Sequence, residues 1–189
     1  HNGQLELALA LVEAAAKAGA DAVKFQTFNA KQLVTAQAPQ AKYQAENTQQ
    51  SENQLAMLEK LQLSASDHQK LIDHCDKFGI KFMSTAFDSE SLTFLASELR
   101  LPILKIPSGE ITNAPLLLQF ARTGADLILS TGVSTLTEIQ QALAVLAYGL
   151  TQPDTEPDGV EDFQAAYLST AGQQQLAAKV ILLHCTTEY

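Results

Sequence analysis

The chain has 189 residues, 46% of them hydrophobic and 17% charged, with a formal net charge of -9 at pH 7. That length can bury one substantial core, and the composition is that of a folded globular chain rather than a disordered one. The negative charge excludes nonspecific nucleic-acid binding, which needs Lys and Arg to neutralise phosphates, but it leaves room for a small anion in a local pocket.

In chain order, residues 4–18 place Leu5, Ala8, Leu9, Val12, Ala15 and Ala16 at helical spacing, and Gly19 marks the stop. A strand follows over residues 21–26, in which Ala22, Lys24 and Gln26 share one face and Val23 and Phe25 the other. The apolar face is expected to meet helices and the Lys/Gln face to line a barrel interior near its mouth. Residues 27–62 are polar and Gln-rich, too long for a plain connection, with a helix predicted over residues 54–61. Ser64 or Ser66 caps a helix through residue 76, closed by Gly79 before a strand at residues 80–85. Asp88 caps the next helix, which leads to a strand at residues 103–106. Asn113 with Pro115 opens a helix ending near Gly124, and a strand at residues 126–130 follows. Ser134 or Thr135, with Glu138 completing a capping box, starts a helix through residue 147 that Gly149 ends. Residues 151–175 read as a surface excursion with a short helix at 163–168, after which a strand at 180–185 resumes the pattern.

Five strands alternating with helices predict a parallel α/β sheet with right-handed crossovers. Each strand ends in polar residues, and that is how a β/α barrel builds an active site at the C-terminal ends of its strands. The expected fold is therefore an α/β (β/α)8 TIM barrel, incomplete in this chain, with residues 1–189 as a single partial catalytic domain. The start at His1-Asn2-Gly3, without methionine, and the stop at Tyr189 directly after a strand read as cut ends of a longer protein. With only Cys75 and Cys185, a disulfide framework is not expected and a reducing cytoplasm fits. No apolar run approaches the roughly 20 residues that span a bilayer.

The segment Leu104-Lys105-Ile106-Pro107-Ser108-Gly109-Glu110 carries most of the chemistry. A lysine inside an apolar strand is costly to bury unless something anionic meets it. Lys24 and Lys105 together suit an anion clamp, against the competing reading that each snorkels its head to solvent. Thr85, Ser108, Ser130 and Thr187 are strand-end hydroxyls, able to donate to a phosphate or to cap a helix. Glu110 is the carboxylate best placed for acid/base work, against a plain turn role. The histidines show no metal-ligand spacing: His68 and His74 are expected on a solvent-facing helix and His184 packed in the core. For Cys185 as a nucleophile, the sequence identifies no base partner. Neither a dinucleotide fingerprint nor a P-loop is present.

Taken together, the segments His1-Asn2-Gly3, Gly19-Ala20-Asp21-Ala22-Val23-Lys24-Phe25-Gln26-Thr27-Phe28, Ser84-Thr85-Ala86-Phe87-Asp88, Lys105-Ile106-Pro107-Ser108-Gly109-Glu110, Leu129-Ser130-Thr131-Gly132 and His184-Cys185-Thr186-Thr187-Glu188-Tyr189 resemble the N-acetylneuraminate (sialic acid) synthase family in order and spacing. The resemblance implies a transferase that condenses phosphoenolpyruvate with N-acetylmannosamine or a related N-acyl sugar, giving a nonulosonic acid and phosphate. It assigns phosphoenolpyruvate contacts to Lys24, Thr85, Lys105, Ser108, Ser130 and Thr187, and sugar contacts to Gln26, Asn47, Glu110 and Tyr189, with Lys24 and Glu110 as catalytic candidates. A divalent metal, Mn²⁺ or Mg²⁺, is implied to polarise the sugar aldehyde, with its histidine ligands beyond Tyr189. The family's first barrel strand would precede His1, and its C-terminal antifreeze-like domain, which completes the partner subunit's site in a homodimer, would follow. This piece alone is then expected to be inactive. The alternatives are a legionaminic or pseudaminic acid synthase, another phosphoenolpyruvate-dependent sugar-acid synthase such as one acting on a phosphorylated aldose, and a noncatalytic phosphoenolpyruvate-binding module.

Overall fold

The computed structural model of the protein describes residues 1–39 and 53–186. Asn47, Thr187 and Tyr189 lie outside the described residues. The chain forms two compact units, His1–Ser84 and Thr85–Tyr189. Strands are hydrogen-bonded to their neighbours in chain order, from β1 to β5.

In the first unit, helix α1 (Leu5–Lys17) buries Ala8 and Val12 fully. Strand β1 (Ala22–Thr27) follows, its turn passing through Gly19 at φ +78°. A short helix α2 (Ala30–Leu33) is capped by Asn29, and α3 (Gln54–Leu61) by Asn53, whose side chain accepts from the Ala56 N–H at 2.8 Å. Helix α4 (Ala65–Phe78) begins with a reciprocal capping box of Ser64 and Asp67 and ends at Gly79 in the left-handed region. Strand β2 (Lys81–Ala86) comes next. Phe25, on the apolar face of β1, packs in one cluster with Ala8, Val12, Leu71, Cys75 and Ile80. Burying a side chain of this size contributes about 1.5–3 kcal/mol. The glycine of His1-Asn2-Gly3 is a steric requirement: a Cβ there would sit 1.9 Å from the Lys60 carbonyl oxygen, and φ is +75°.

His68 departs from the solvent-facing position expected of it. It is 1% exposed, its Nε2 bonds to Thr27 Oγ1 at 2.8 Å and its Nδ1 to the Ser64 carbonyl at 2.8 Å, while Thr27 Oγ1 also bonds Ser84 Oγ at 2.7 Å. The helix turns this side chain inward because its apolar stripe, Leu71 and Cys75, lies on the same face, and the network satisfies the imidazole. His74 is partly covered and meets Glu13 Oε1 at 3.2 Å.

In the second unit, the end of β2 pairs in parallel with β3 (Ile103–Ile106), Thr85 opposite Lys105. Strand β3 pairs with β4 (Asp126–Ser130), Lys105 opposite Ile128, and β4 pairs with β5 (Val180–Leu183), Ser130 opposite Leu183. Asp88 caps α5 (Ser89–Thr93), accepting from the Ser91 N–H at 2.8 Å, and a π-helical turn, Phe94–Glu98, continues it. A single 3-10 turn, Ser108–Glu110, follows β3. Helix α6 (Ala114–Arg122) starts on Asn113 and Pro115, and α7 (Leu136–Thr151) on the Thr135/Glu138 capping box. Leu104, Ile106, Leu127 and Leu129 are fully buried, as is Phe120 of α6.

Three expectations here need correction. Gly149 does not end its helix: α7 runs through it to Thr151, and a Cβ at this position would lie 2.6 Å from the Ala121 Cβ. The glycine allows α6 and α7 to approach closely. The excursion is also more helical than expected, with α8 (Val160–Leu168) and α9 (Thr170–Lys179) filling it, the latter capped by Ser169. Its polar face hid the pattern, for only Gly172 and Leu176 are buried. Nor is His184 packed, for it lies exposed just beyond the end of β5. No helix among the described residues is long and apolar enough to cross a membrane.

Burial holds the His68 imidazole below its ordinary pKa of 6.5, outweighing the hydrogen bond to Ser64 and the charge of Asp67. The unfolded chain therefore binds more protons than the folded one below about pH 6.5, so stability from this site is complete above that pH and is lost as pH falls toward the depressed folded value. Urea unfolding at pH 7.5 and pH 5.5 should show a smaller acid loss for His68→Gln than for the parent protein. An equal loss in both would refute the assignment.

Candidate anion site at the strand ends

The parallel registers determine which side chains share a face. Thr85 lies opposite Lys105, Lys105 opposite Ile128, Ser130 two residues beyond Ile128, and Leu183 opposite Ser130. Successive side chains alternate, so Thr85, Lys105 and Ser130 project from one side of the sheet near its C-terminal edge.

Lys105 is 6% exposed. Its Nζ donates to Ser130 Oγ at 2.6 Å and to the Ile106 carbonyl oxygen at 2.6 Å. The two bonds aim the ammonium, and burial strengthens the field it presents at the strand ends. Beside it, the Thr85 hydroxyl is 2% exposed and has no hydrogen-bond partner. A buried hydroxyl left unpaired costs about 1–3 kcal/mol, which makes this orphan a candidate contact for a ligand oxygen or a water.

At the end of β4 the chain turns through Thr131 and Gly132, and the Thr131 N–H and hydroxyl donate to the Leu183 carbonyl at 3.1 and 2.9 Å. That clasp brings the segment after β5 against the end of β4. Cys185, half-buried, is held there: hydrogen bonding from the Ser130 hydroxyl, then from the Thr131 and Gly132 backbone, and the Lys105 charge lower its thiol pKa, against desolvation. The sequence reading set Cys185 aside for want of a base. What the residues alone do not show is the register that sets Thr85, Lys105 and Ser130 on one face of the sheet.

Ser108 and Glu110 sit on the 3-10 turn that leaves β3, both partly covered. The Glu110 carboxylate accepts from Asn113 Nδ2 at 2.8 Å, and Asn113 in turn caps α6 through the Leu116 N–H. Glu110 is thus tied to the start of that helix.

The first unit has its own group. Lys24 and Gln26 are exposed on the face of β1 opposite Phe25, as the alternation predicts. A cavity of about 620 Å³ beside β1 is lined by Lys24, Gln26, His1, Leu11 and Leu61. The protein around Lys24 desolvates its ammonium and lowers its pKa. Among the described residues no three His, Cys, Asp or Glu side chains gather in a way that could hold a metal ion.

Parallel strands joined by helices, with a buried cation and hydroxyls at their C-terminal ends, define an α/β protein of the (β/α)8 type, with five strands among the described residues. The NeuB family model matches residues 11–189, and the chain belongs to that family. It is 44% identical over 189 residues to N,N'-diacetyllegionaminic acid synthase of Campylobacter jejuni, covering all of this chain and 49% of that protein. The Legionella pneumophila enzyme of the same name is 43% identical, with 47% of it covered. Among solved structures, N-acetylneuraminic acid (sialic acid) synthetase from Leptospira borgpetersenii superposes with a TM-score of 0.70 at 28% identity, over all of this chain and 52% of that one. The chain thus spans about half the length of the curated relatives it matches.

Because the Thr85 hydroxyl is already unpaired, Thr85→Val should leave the urea midpoint unchanged or raise it, while weakening binding of inorganic phosphate in calorimetry by about tenfold or more, the loss of roughly one hydrogen bond to a charged acceptor. A loss of stability of about 2 kcal/mol with unchanged binding would contradict the site.

Proposed function

We propose that the full protein is a phosphoenolpyruvate-dependent nonulosonic acid synthase, and that this chain contributes the socket for the enolpyruvyl phosphate. The observation that carries the reading is the buried Lys105 ammonium, oriented by Ser130, next to the unpaired Thr85 hydroxyl. Such donors favour the dianionic phosphate and carboxylate of phosphoenolpyruvate, and they stabilise the charge that develops as phosphate departs. Ser108 on the turn after β3 adds a further hydroxyl, and Lys24 and Gln26 on β1 are proposed, in turn, as a phosphoenolpyruvate contact and a sugar contact.

In the condensation, C3 of phosphoenolpyruvate forms a bond to the aldehyde carbon of an open-chain N-acyl sugar. Water adds at C2, the C2–O bond to phosphate breaks, and the products are a 2-keto sugar acid and inorganic phosphate. Glu110, Asn47 and Tyr189 are the proposed sugar contacts, with Thr187 as a further phosphoenolpyruvate contact. The divalent metal, Mn²⁺ or Mg²⁺, is proposed to be held by residues outside this chain, and the homodimer and a cytoplasmic location belong to the proposal for the full protein. The diacetyllegionaminic acid synthase relatives favour a diacetamido acceptor beside N-acetylmannosamine.

The test is turnover by the intact protein, supplied with phosphoenolpyruvate, Mn²⁺ and either acceptor sugar, free or phosphorylated, with phosphate release and sugar-acid product both measured. We expect product from a free N-acyl sugar and a fall in kcat/KM of about 100-fold or more in Lys105→Met, equivalent to about 2.7 kcal/mol of transition-state stabilisation. Phosphoenolpyruvate binding with no product from any acceptor would favour the noncatalytic module, and preference for a phosphorylated aldose would move the protein to a different synthase class.

A further inference from the structure

His68 has no part in the reaction above, yet its hydrogen bonds orient two hydroxyls that stand directly behind residues of the proposed site. The Ser64 carbonyl oxygen, 2.8 Å from His68 Nδ1, can only accept, so Nδ1 carries the proton. Burial lowers the pKa and keeps the ring neutral near pH 7, which leaves Nε2 as an acceptor. Thr27 must then donate its one hydroxyl proton to Nε2, at 2.8 Å, and Ser84 must donate to Thr27 Oγ1, at 2.7 Å. The chain runs one way, from Ser84 through Thr27 and His68 to the Ser64 carbonyl, and it ties the C-terminal halves of β1 and β2 to the first turn of α4. Thr27 and Ser84 are both buried, so bulk water does not compete for these bonds. Side chains alternate along a strand, so Gln26 and Thr85, the sequence neighbours of Thr27 and Ser84, project from the opposite face. A hydroxyl clamped on one face therefore fixes the backbone from which its neighbour projects.

We propose that His68 is a positioning residue of the synthase: through Thr27 and Ser84 it holds the backbone from which Gln26 and Thr85 reach their ligands. The proposal rests on the nonulosonic acid synthase reading. A one-way chain needs an acceptor at its head. An apolar side chain at position 68 removes that acceptor and frees the end of β1 from α4, whereas a glutamine amide oxygen, which reaches the place of Nε2, restores it. A displacement of about 1 Å in a binding group is enough to cost a factor on the order of 100 in rate.

Two measurements on the intact protein test this. Nitrogen-15 NMR of the histidine side chains near neutral pH should show His68 Nδ1 protonated and Nε2 bare, and a proton on Nε2 would overturn the chain. Kinetics with phosphoenolpyruvate, Mn²⁺ and a free N-acyl sugar, on variants shown folded by circular dichroism, should give kcat at least about tenfold lower in His68→Leu and within about threefold of the parent in His68→Gln. Thr27→Val should match His68→Leu, and the double variant should be less than about twofold slower than either, because both changes break one chain; losses that multiply would contradict it. A merely stabilising role moves the urea midpoint but not kcat of the folded protein, so a parental kcat in His68→Leu, or equal losses in His68→Leu and His68→Gln, would also refute the proposal. If no acceptor gives product, the synthase reading falls and calorimetry with inorganic phosphate decides the positioning. Binding at least about threefold weaker in His68→Leu and restored in His68→Gln upholds it, and equal binding in all three proteins rejects it.

Discussion

Burying one ammonium group is the constraint around which the second unit is organised. An isolated lysine charge in an apolar strand end would carry a desolvation penalty of several kcal/mol, and the fold meets it with oriented oxygens at 2.6 Å from Ser130 and Ile106. Those partners come from adjacent strands, so the register of β3 against β4 decides whether Lys105 finds Ser130 at all. A slip of one residue would turn Ser130 to the opposite face. The apolar residues Leu104, Ile106, Leu127 and Leu129, all fully buried on the other face, fix that register. Packing on one side of the sheet therefore sets the chemistry on the other.

The same logic explains why the helices begin where they do. Asp88, Asn113 and Thr135 each cap a helix immediately after a strand, so the C-terminal edge of the sheet is also where the helix N-termini and their unpaired N–H groups gather. Short turns after β3 and β4 leave little slack for the side chains they carry. Glu110 shows the effect: its carboxylate bonds Asn113, the residue that starts the following helix. A site made in this way is positioned by rigid elements rather than by mobile loops, and rigid donors aimed at a fixed point lose little by reorganising when an anion arrives.

Much of this could be read from the residues alone, because period and capping chemistry are local. The strand at Ile103–Ile106 and the helix at Gln54–Leu61 fall where alternation and apolar spacing put them, and the Ser64/Asp67 and Thr135/Glu138 starts follow from side-chain chemistry at fixed spacing. What escaped was set by contacts distant in sequence. His68 reads as a surface residue on its own helix and is buried where Thr27, itself bonded to Ser84, meets it. Gly149 looked like a helix stop and serves as a close-packing position against Ala121. At the site, Lys105 is conspicuous because a charge interrupts an apolar run, whereas Thr85 and Ser130 are ordinary strand-end hydroxyls until the register sets them on its face.

The central claim is that Thr85, Lys105 and Ser130 form an anion socket and not merely a satisfied lysine. A crystal structure of the intact protein grown with phosphoenolpyruvate tests it most directly. The account predicts a phosphate or carboxylate oxygen of the ligand within hydrogen-bond distance of both Thr85 Oγ1 and Lys105 Nζ. A ligand bound elsewhere, with the Thr85 hydroxyl still unpaired, would contradict it.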